Sequence, residues 1–247
     1  MASPTVVPTK EPIVITILYD NYPYDERLRT SWGFSCLVER SGLRVLFDTG
    51  GDSPTLLGNM EALGVDAGNL DAIVLSHIHG DHVGGLEGIL AQNGETVVYV
   101  PHSFPTRLKN DVRSMARLVE VGDPMRIAEG VHSTGEMGGG IKEQALIVSS
   151  AEGAIVVTGC AHPGIVAIVT KAKEVSGEPI ELVLGGFHLS GTGQAGIRSI
   201  VDDFRELGVH RVAPTHCSGD AARRMFREAY GDAFVAAGAG LRLEIQQ

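Results

Sequence analysis

The sequence predicts an α/β protein, and three features predict it. Short runs rich in Val, Ile and Leu alternate with stretches in which apolar residues recur at helical spacing. Aromatics make up only 5% of the 247 residues while the apolar fraction is 43%, so the core is aliphatic, and β-branched runs of this kind suit buried strands. Six histidines, His77, His79, His82, His162, His188 and His216, each follow an apolar run within a few residues. Sheets of α/β proteins gather ligand-binding groups in this way, at the C-terminal edges of separate strands.

Residues 1–12 are polar and hold three prolines. They read as a tail, without the apolar stretch of a signal peptide, ahead of a single domain over residues 13–247. Residues 13–18 form the first strand, and the aromatic and polar run 19–24 reads either as a turn or as a pocket wall. Residues 33–39 and 43–47 read as a hairpin around Ser41-Gly42 that ends in Asp48-Thr49-Gly50-Gly51. A carboxylate at a strand end before glycines is placed to support a site from behind. Ser53-Pro54 has the form of an N-cap followed by proline at the first helical position, and Leu56, Leu57, Met60 and Leu63 keep helical spacing up to Gly64.

Residues 71–75 are a short buried strand, and the segment after Asp81 opens a helix through Leu90. Strands follow at 96–100, 117–121 and 125–127. The basic stretch 104–117 reads as a solvated face, with a lid or anion-binding edge as the alternative. Residues 130–140, with five glycines, read as a mobile loop. Residues 145–149 and 154–158 make a second hairpin that ends in Gly159-Cys160-Ala161-His162. A helix follows, then a strand at 180–184 that ends in Gly185-Gly186-Phe187-His188. The helix 194–207 carries Ile197, Ile200, Val201, Phe204 and Leu207 on one face. A strand at 211–213 ends in Pro214-Thr215-His216-Cys217, and a helix over 218–230 and a strand over 241–245 close the chain.

The stretch Ser76-His77-Ile78-His79-Gly80-Asp81-His82 packs three imidazoles and a carboxylate into six residues, directly after an apolar strand. Alternation places His77 and His79 on one side, and Asp81 and His82 beyond the turn address a second point. Neutral imidazoles with a carboxylate suit Zn(II), and also Fe, Mn, Co or Ni. His102, His132 and His210 lack this context.

The formal charge of −10 argues against nucleic acid as the main partner, which would want a basic face, and allows a small anionic metabolite. No run approaches the roughly 18 apolar residues of a membrane helix. Three cysteines, Cys36, Cys160 and Cys217, give no disulfide framework and suggest a reducing, cytoplasmic setting. Oligomeric state is left open.

With the His-x-His-x-Asp-His stretch, the Phe47-Asp48-Thr49-Gly50 run and the later histidines, the chain resembles the metallo-β-lactamase fold superfamily over nearly its whole length. Asp20-Asn21, Trp32-Gly33-Phe34-Ser35, Gly159-Cys160-Ala161-His162, Gly185-Gly186-Phe187-His188 and Pro214-Thr215-His216-Cys217 resemble one branch of it. That branch is labelled 7,8-dihydropterin-6-methyl-4-(β-D-ribofuranosyl)aminobenzene-5′-phosphate synthase-like. The resemblance implies an αβ/βα sandwich of two mixed sheets flanked by helices. It implies that His77, His79 and His162 hold one metal ion, and that Asp81, His82 and His216 hold a second. The strand-end position where many members carry a bridging aspartate is Cys160 here, and Glu136 is a candidate for the central-loop position. One or two zinc ions are therefore expected, with Mn, Fe or Ni as alternatives, and Cys160 is expected behind the ligands.

The resemblance further implies a metal-dependent hydrolase acting on a phosphodiester or a cyclic ester or amide. An ion of this type lowers the pKa of bound water to about 7. Asp81 would ligate and orient that water, His188 would protonate the leaving group, and Asp48 would orient a ligand histidine. Asn21, Trp32 and His188 would line the substrate pocket. The alternatives are a pterin-type synthase, with Arg107, Arg113 and Arg198 as candidate phosphate-binding residues, and an iron-carrying redox protein.

Overall fold

The computed structural model describes residues 11–247, so most of the expected tail, residues 1–10, lies outside the described residues. The first sheet is built from β1 (Ile13–Tyr19), β2 (Ser35–Arg40), β3 (Leu43–Phe47), β4 (Ala72–Val74), β5 (Val97–Pro101), β6 (Arg117–Val121) and the last strand of the chain, β13 (Arg242–Ile245). Its order is β13-β1-β2-β3-β4-β5-β6. The β1–β2 and β2–β3 pairs are antiparallel, whereas β3–β4, β4–β5 and β5–β6 are parallel. The second sheet runs β12-β11-β10-β9-β8-β7, from β7 (Met125–Ala128), β8 (Val131–Ser133), β9 (Leu146–Ser149), β10 (Ala154–Thr158), β11 (Ile180–Gly186) and β12 (Arg211–Thr215). Here β10, β11 and β12 are parallel.

Alternation along the strands divides the apolar residues between two faces. On β10, Ile155 and Val157 point into the core between the sheets, where they meet Ile15, Ile17, Phe47 and Val74 of the first sheet. Ala154 and Val156 point outward against α5 (Ile165–Ser176), α6 (Gln194–Glu206) and α7 (Asp220–Tyr230). The other sheet is covered on its outer face by α1 (Ser53–Ala62), the short α3 (Leu86–Leu90) and α4 (Thr106–Met115), through Leu56, Met60, Ile89 and Val112. The result is the four-layer α/β sandwich expected for two mixed sheets flanked by helices.

Three local expectations change, and the solvated face expected of the basic stretch is found. The first helix is capped by Asp52, not Ser53: its Oδ1 accepts from Thr55 N at 2.7 Å, and its Oδ2 accepts from the Tyr19 hydroxyl at 2.8 Å. The helix expected after Asp81 is two pieces, α2 (Gly80–Val83) and α3, because the Gly84-Gly85 junction lies against other backbone. A Cβ on Gly84 would stand 2.1 Å from Gly51 O, and one on Gly85 2.2 Å from Thr49 O. The basic stretch is the helix α4, of which only Val112 is buried. Within the glycine-rich stretch, residues 131–133 form β8, which pairs with β7 and β9.

Candidate metal centre

The C-terminal edges of β3 and β4 in one sheet face those of β10, β11 and β12 in the other, and each delivers a functional residue. Asp48 follows β3, the histidine loop follows β4, Cys160 and His162 follow β10, His188 follows β11, and His216 follows β12. Five non-glycine residues among those described have positive φ; Asp48, Ala161, His188 and His216 are four of them. Such strain persists where the surrounding structure holds it, and it clusters at functional sites.

Three groups of donors form, and two of them contain the residues of the histidine stretch. His77, His79 and His162 offer nitrogens within 4.8 Å of one another, as do Asp81, His82, Cys160 and His216 with their own donor atoms. The first group brings together the three histidines to which the family resemblance gives one ion. The second includes Cys160 itself: its Sγ lies 3.3 Å from His82 Nε2 and 3.4 Å from His216 Nε2. Asp81 Oδ2 is 3.6 Å and 3.4 Å from the same two nitrogens. Cys160 therefore sits among the donors, not behind them as expected.

Three of the imidazoles, His77, His82 and His216, are fixed by a bond on their far side. His82 Nδ1 donates to Asp48 Oδ2 at 2.7 Å, which leaves Nε2 free to act as a ligand. The Ser76 hydroxyl donates to the same Asp48 oxygen at 2.7 Å and lies 2.9 Å from His77 Nδ1, placed to accept its proton. Asp48 thus orients one histidine of each group, directly or through Ser76. His216 Nδ1 donates to Asn21 Oδ1 at 2.9 Å. Asn21 is consequently a support for His216. Trp32 is exposed at the rim, its ring 4.9 Å from that of His216.

The loop carrying Cys160 and His162 is held by a residue that sequence reasoning missed. The fully buried Glu143 carboxylate accepts the backbone N–H groups of Cys160, Ala161 and His162 at 2.9, 2.9 and 2.8 Å. No motif marks it; the only sequence signal is a carboxylate beside the strand that leads into the site. Glu136, the expected central-loop residue, instead accepts from Ser103 N at 2.6 Å and is absent from both groups. His102 pairs with Glu120 and His210 with Glu181, while His132 lies within β8. Among the candidate phosphate-binding arginines, Arg113 is paired with Glu120, and Arg198 lines a groove between α6 and α7. A cleft of about 730 Å³ beside Arg27, Arg29 and Leu57 holds none of the donors.

The electrostatics suit metal ligation. Burial, with His82, His162 and His79 nearby, pushes the His77 imidazolium well below its usual range, and burial with His188 and His79 brings His162 down to about 4. Both rings are therefore neutral near pH 7, as ligands must be. Burial alone would raise Asp81, but the hydrogen bond with His216 and the charges of His82 and His216 outweigh it and hold the carboxyl well below the usual range. His162 Nε2 is buried with no hydrogen-bond partner, an orphan that a metal ion would satisfy. The donors of both groups fit divalent first-row ions. His188 is exposed at the rim, its ring 4.4 Å from that of His162. A hydrogen bond that the His188 imidazolium donates to the Cys217 sulfur raises His188 above its usual range.

The family model of the metallo-beta-lactamase superfamily matches residues 33–220, which include every candidate donor. The chain is 30% identical to the 7,8-dihydropterin-6-methyl-4-(beta-D-ribofuranosyl)-aminobenzene-5′-phosphate synthase of Methanocaldococcus jannaschii, over 92% of this chain and 94% of that protein. It is 31% identical to an uncharacterized protein of the same organism over 83% of this chain and 91% of the other. A solved metal-dependent hydrolase of the beta-lactamase superfamily superposes with a TM-score of 0.79 at 28% identity, over 95% of this chain and all of that one.

Proposed function

The chain belongs to the metallo-beta-lactamase superfamily, and from that premise we propose that it is a zinc-dependent hydrolase of a phosphodiester or a cyclic ester or amide in a small anionic metabolite. The observation that carries this reading is the pair of adjacent donor groups with an exposed histidine at their rim. A metal ion bound there supplies a Lewis acid for a phosphoryl or carbonyl oxygen and makes water a nucleophile near neutral pH. His77, His79 and His162 would hold one ion, and Asp81, His82, Cys160 and His216 the other.

The chain's own residues do the rest. Asp81, ionised and half-buried, can both ligate and accept a proton from the attacking water. His188 stands exposed at the rim, placed to protonate the leaving group. Trp32 walls the opening beside His216. The charge of −10 favours a small substrate over a nucleic-acid backbone. No helix among the described residues is long and apolar enough to cross a membrane.

Turnover of bis-p-nitrophenyl phosphate, lost on chelation and restored by zinc, tests the reading. Asp81→Ala should abolish it, and His188→Ala should lower kcat roughly 10²- to 10⁴-fold, less for leaving groups that need no proton. Turnover that survives chelation would overturn it. A second reading, a pterin-type synthase, draws on the 30% identity to the methanogen enzyme. It predicts bond formation on a phosphoribosyl aromatic substrate and no hydrolysis.

A further inference from the structure

We propose that Cys160 and Cys217 are an oxidisable dithiol, a pair that peroxide converts to a disulfide at the edge of the metal centre. Strands β10 and β12 are separated by β11, a distance of about 9.6 Å between their axes. The loops after them nevertheless bring the two thiols together: Cys160 Sγ, Cys217 Sγ and a ring nitrogen of His188 lie within 4.8 Å of one another. Cys217 Sγ also lies 3.6 Å from Cys160 O, so the two cysteines are in direct contact.

The strand between them is shaped for the meeting. It ends in Gly185-Gly186, and a Cβ on Gly186 would stand 2.7 Å from Cys217 Sγ and 3.3 Å from Cys160 Cα. The same Cβ would stand 2.3 Å from Gly159 O, so glycine here admits the backbone contact as well as the pair. Cys160 and Cys217 are 4% and 5% exposed and border the exposed His188. Cys36 is fully enclosed on β2 of the other sheet, with no thiol neighbour among the described residues, and serves as an internal control.

The chemistry balances with a hydroperoxide as oxidant. The Cys217 sulfur attacks the peroxide oxygen; the O–O bond breaks, one oxygen leaves as water, and Cys217 becomes a sulfenic acid. The Cys160 sulfur attacks that sulfur; the S–O bond breaks, the S–S bond forms, and the oxygen leaves as water with the thiol proton. Two thiols are oxidised by two electrons and one hydrogen peroxide is reduced to two waters. A dithiol reductant reverses the change. Since Cys160 Sγ also lies with His82 and His216, the disulfide withdraws a donor from the second group. That consequence rests on the metal reading above; the disulfide does not.

The test is thiol counting by mass. The full-length protein, stripped of metal with a chelator, is treated with hydrogen peroxide, unfolded, alkylated and mapped. The expected result is a fall from three alkylated cysteines to one, Cys36, with a Cys160–Cys217 crosslinked peptide and full recovery after dithiothreitol. Cys217→Ser should yield no crosslink, and Cys36→Ser should retain it. Three alkylated thiols after peroxide, or sulfinic acids without the crosslink, would overturn the proposal. Zinc-loaded protein should oxidise several-fold more slowly. An unchanged rate beside an intact crosslink would remove Cys160 from the metal donors and leave the dithiol standing.

Discussion

Asp48 is the residue on which both donor groups depend. Its carboxylate takes Ser76 N, the Ser76 hydroxyl and His82 Nδ1, at 2.6, 2.7 and 2.7 Å. Room for this comes from Gly159, where a Cβ would lie 2.1 Å from Ser76 Oγ. Removing a carboxylate that orients a metal-bound histidine typically costs 10- to 100-fold in metal affinity, so Asp48→Ala should lower zinc affinity by about that factor. Competition with a chromophoric chelator measures it; unchanged affinity would show that Asp48 supports the fold alone. Asp20 makes a separate prediction. It is buried between Tyr22 N and the Thr215 hydroxyl, and burial pushes its carboxyl up to about 6. The folded chain then binds a proton that the unfolded chain releases near pH 4, so this group's contribution to stability declines as pH rises from about 4 to 6. The decline approaches roughly 3 kcal/mol, at about 1.4 kcal/mol per pH unit. In the metal-stripped protein, Asp20→Asn should remove that part of the pH dependence, read as the difference between wild-type and variant unfolding free energies across pH 4–7.

At the scale of elements, the glycine pair after the histidine stretch sets where the motif sits. Gly84 N donates to Gly50 O at 2.9 Å, and Thr49 N donates to His82 O at 2.8 Å, so backbone bonds join the side chains of Asp48 and Thr49 in stitching the histidine loop to the Asp48 loop. Gly84→Ala puts a methyl into Gly51 O and should cost about 3 kcal/mol, or roughly 10 °C in Tm. A thermal melt checks this, and a loss under about 2 °C would mean that the two loops separate easily. Strands β1, β10 and β11 were legible in the sequence because they are buried on both faces and read as continuous apolar runs. Helix α4 was not, because one buried valine in ten residues leaves little apolar period to see. Strand β8 was hidden by its glycine-rich surroundings, although Val131 and Ser133 are buried and paired.

At the scale of the molecule, two sheets bring together residues that the sequence holds far apart. The histidines could be read as donors because each directly follows an apolar strand. Their supports could not: Asn21 reaches His216 across 195 positions, and Glu143 lies 17 positions before the first backbone N–H it holds. The place of Cys160 among the donors follows from how closely the ends of β4, β10 and β12 approach, a property of the sandwich and not of any one motif. The central claim is that these strand ends hold two metal ions. Elemental mass spectrometry of the protein, loaded with zinc and freed of excess by gel filtration, measures it most directly. About two zinc ions per chain, falling to about one in His79→Ala, is the predicted result. No retained zinc, or the same content in wild type and His79→Ala, would contradict it.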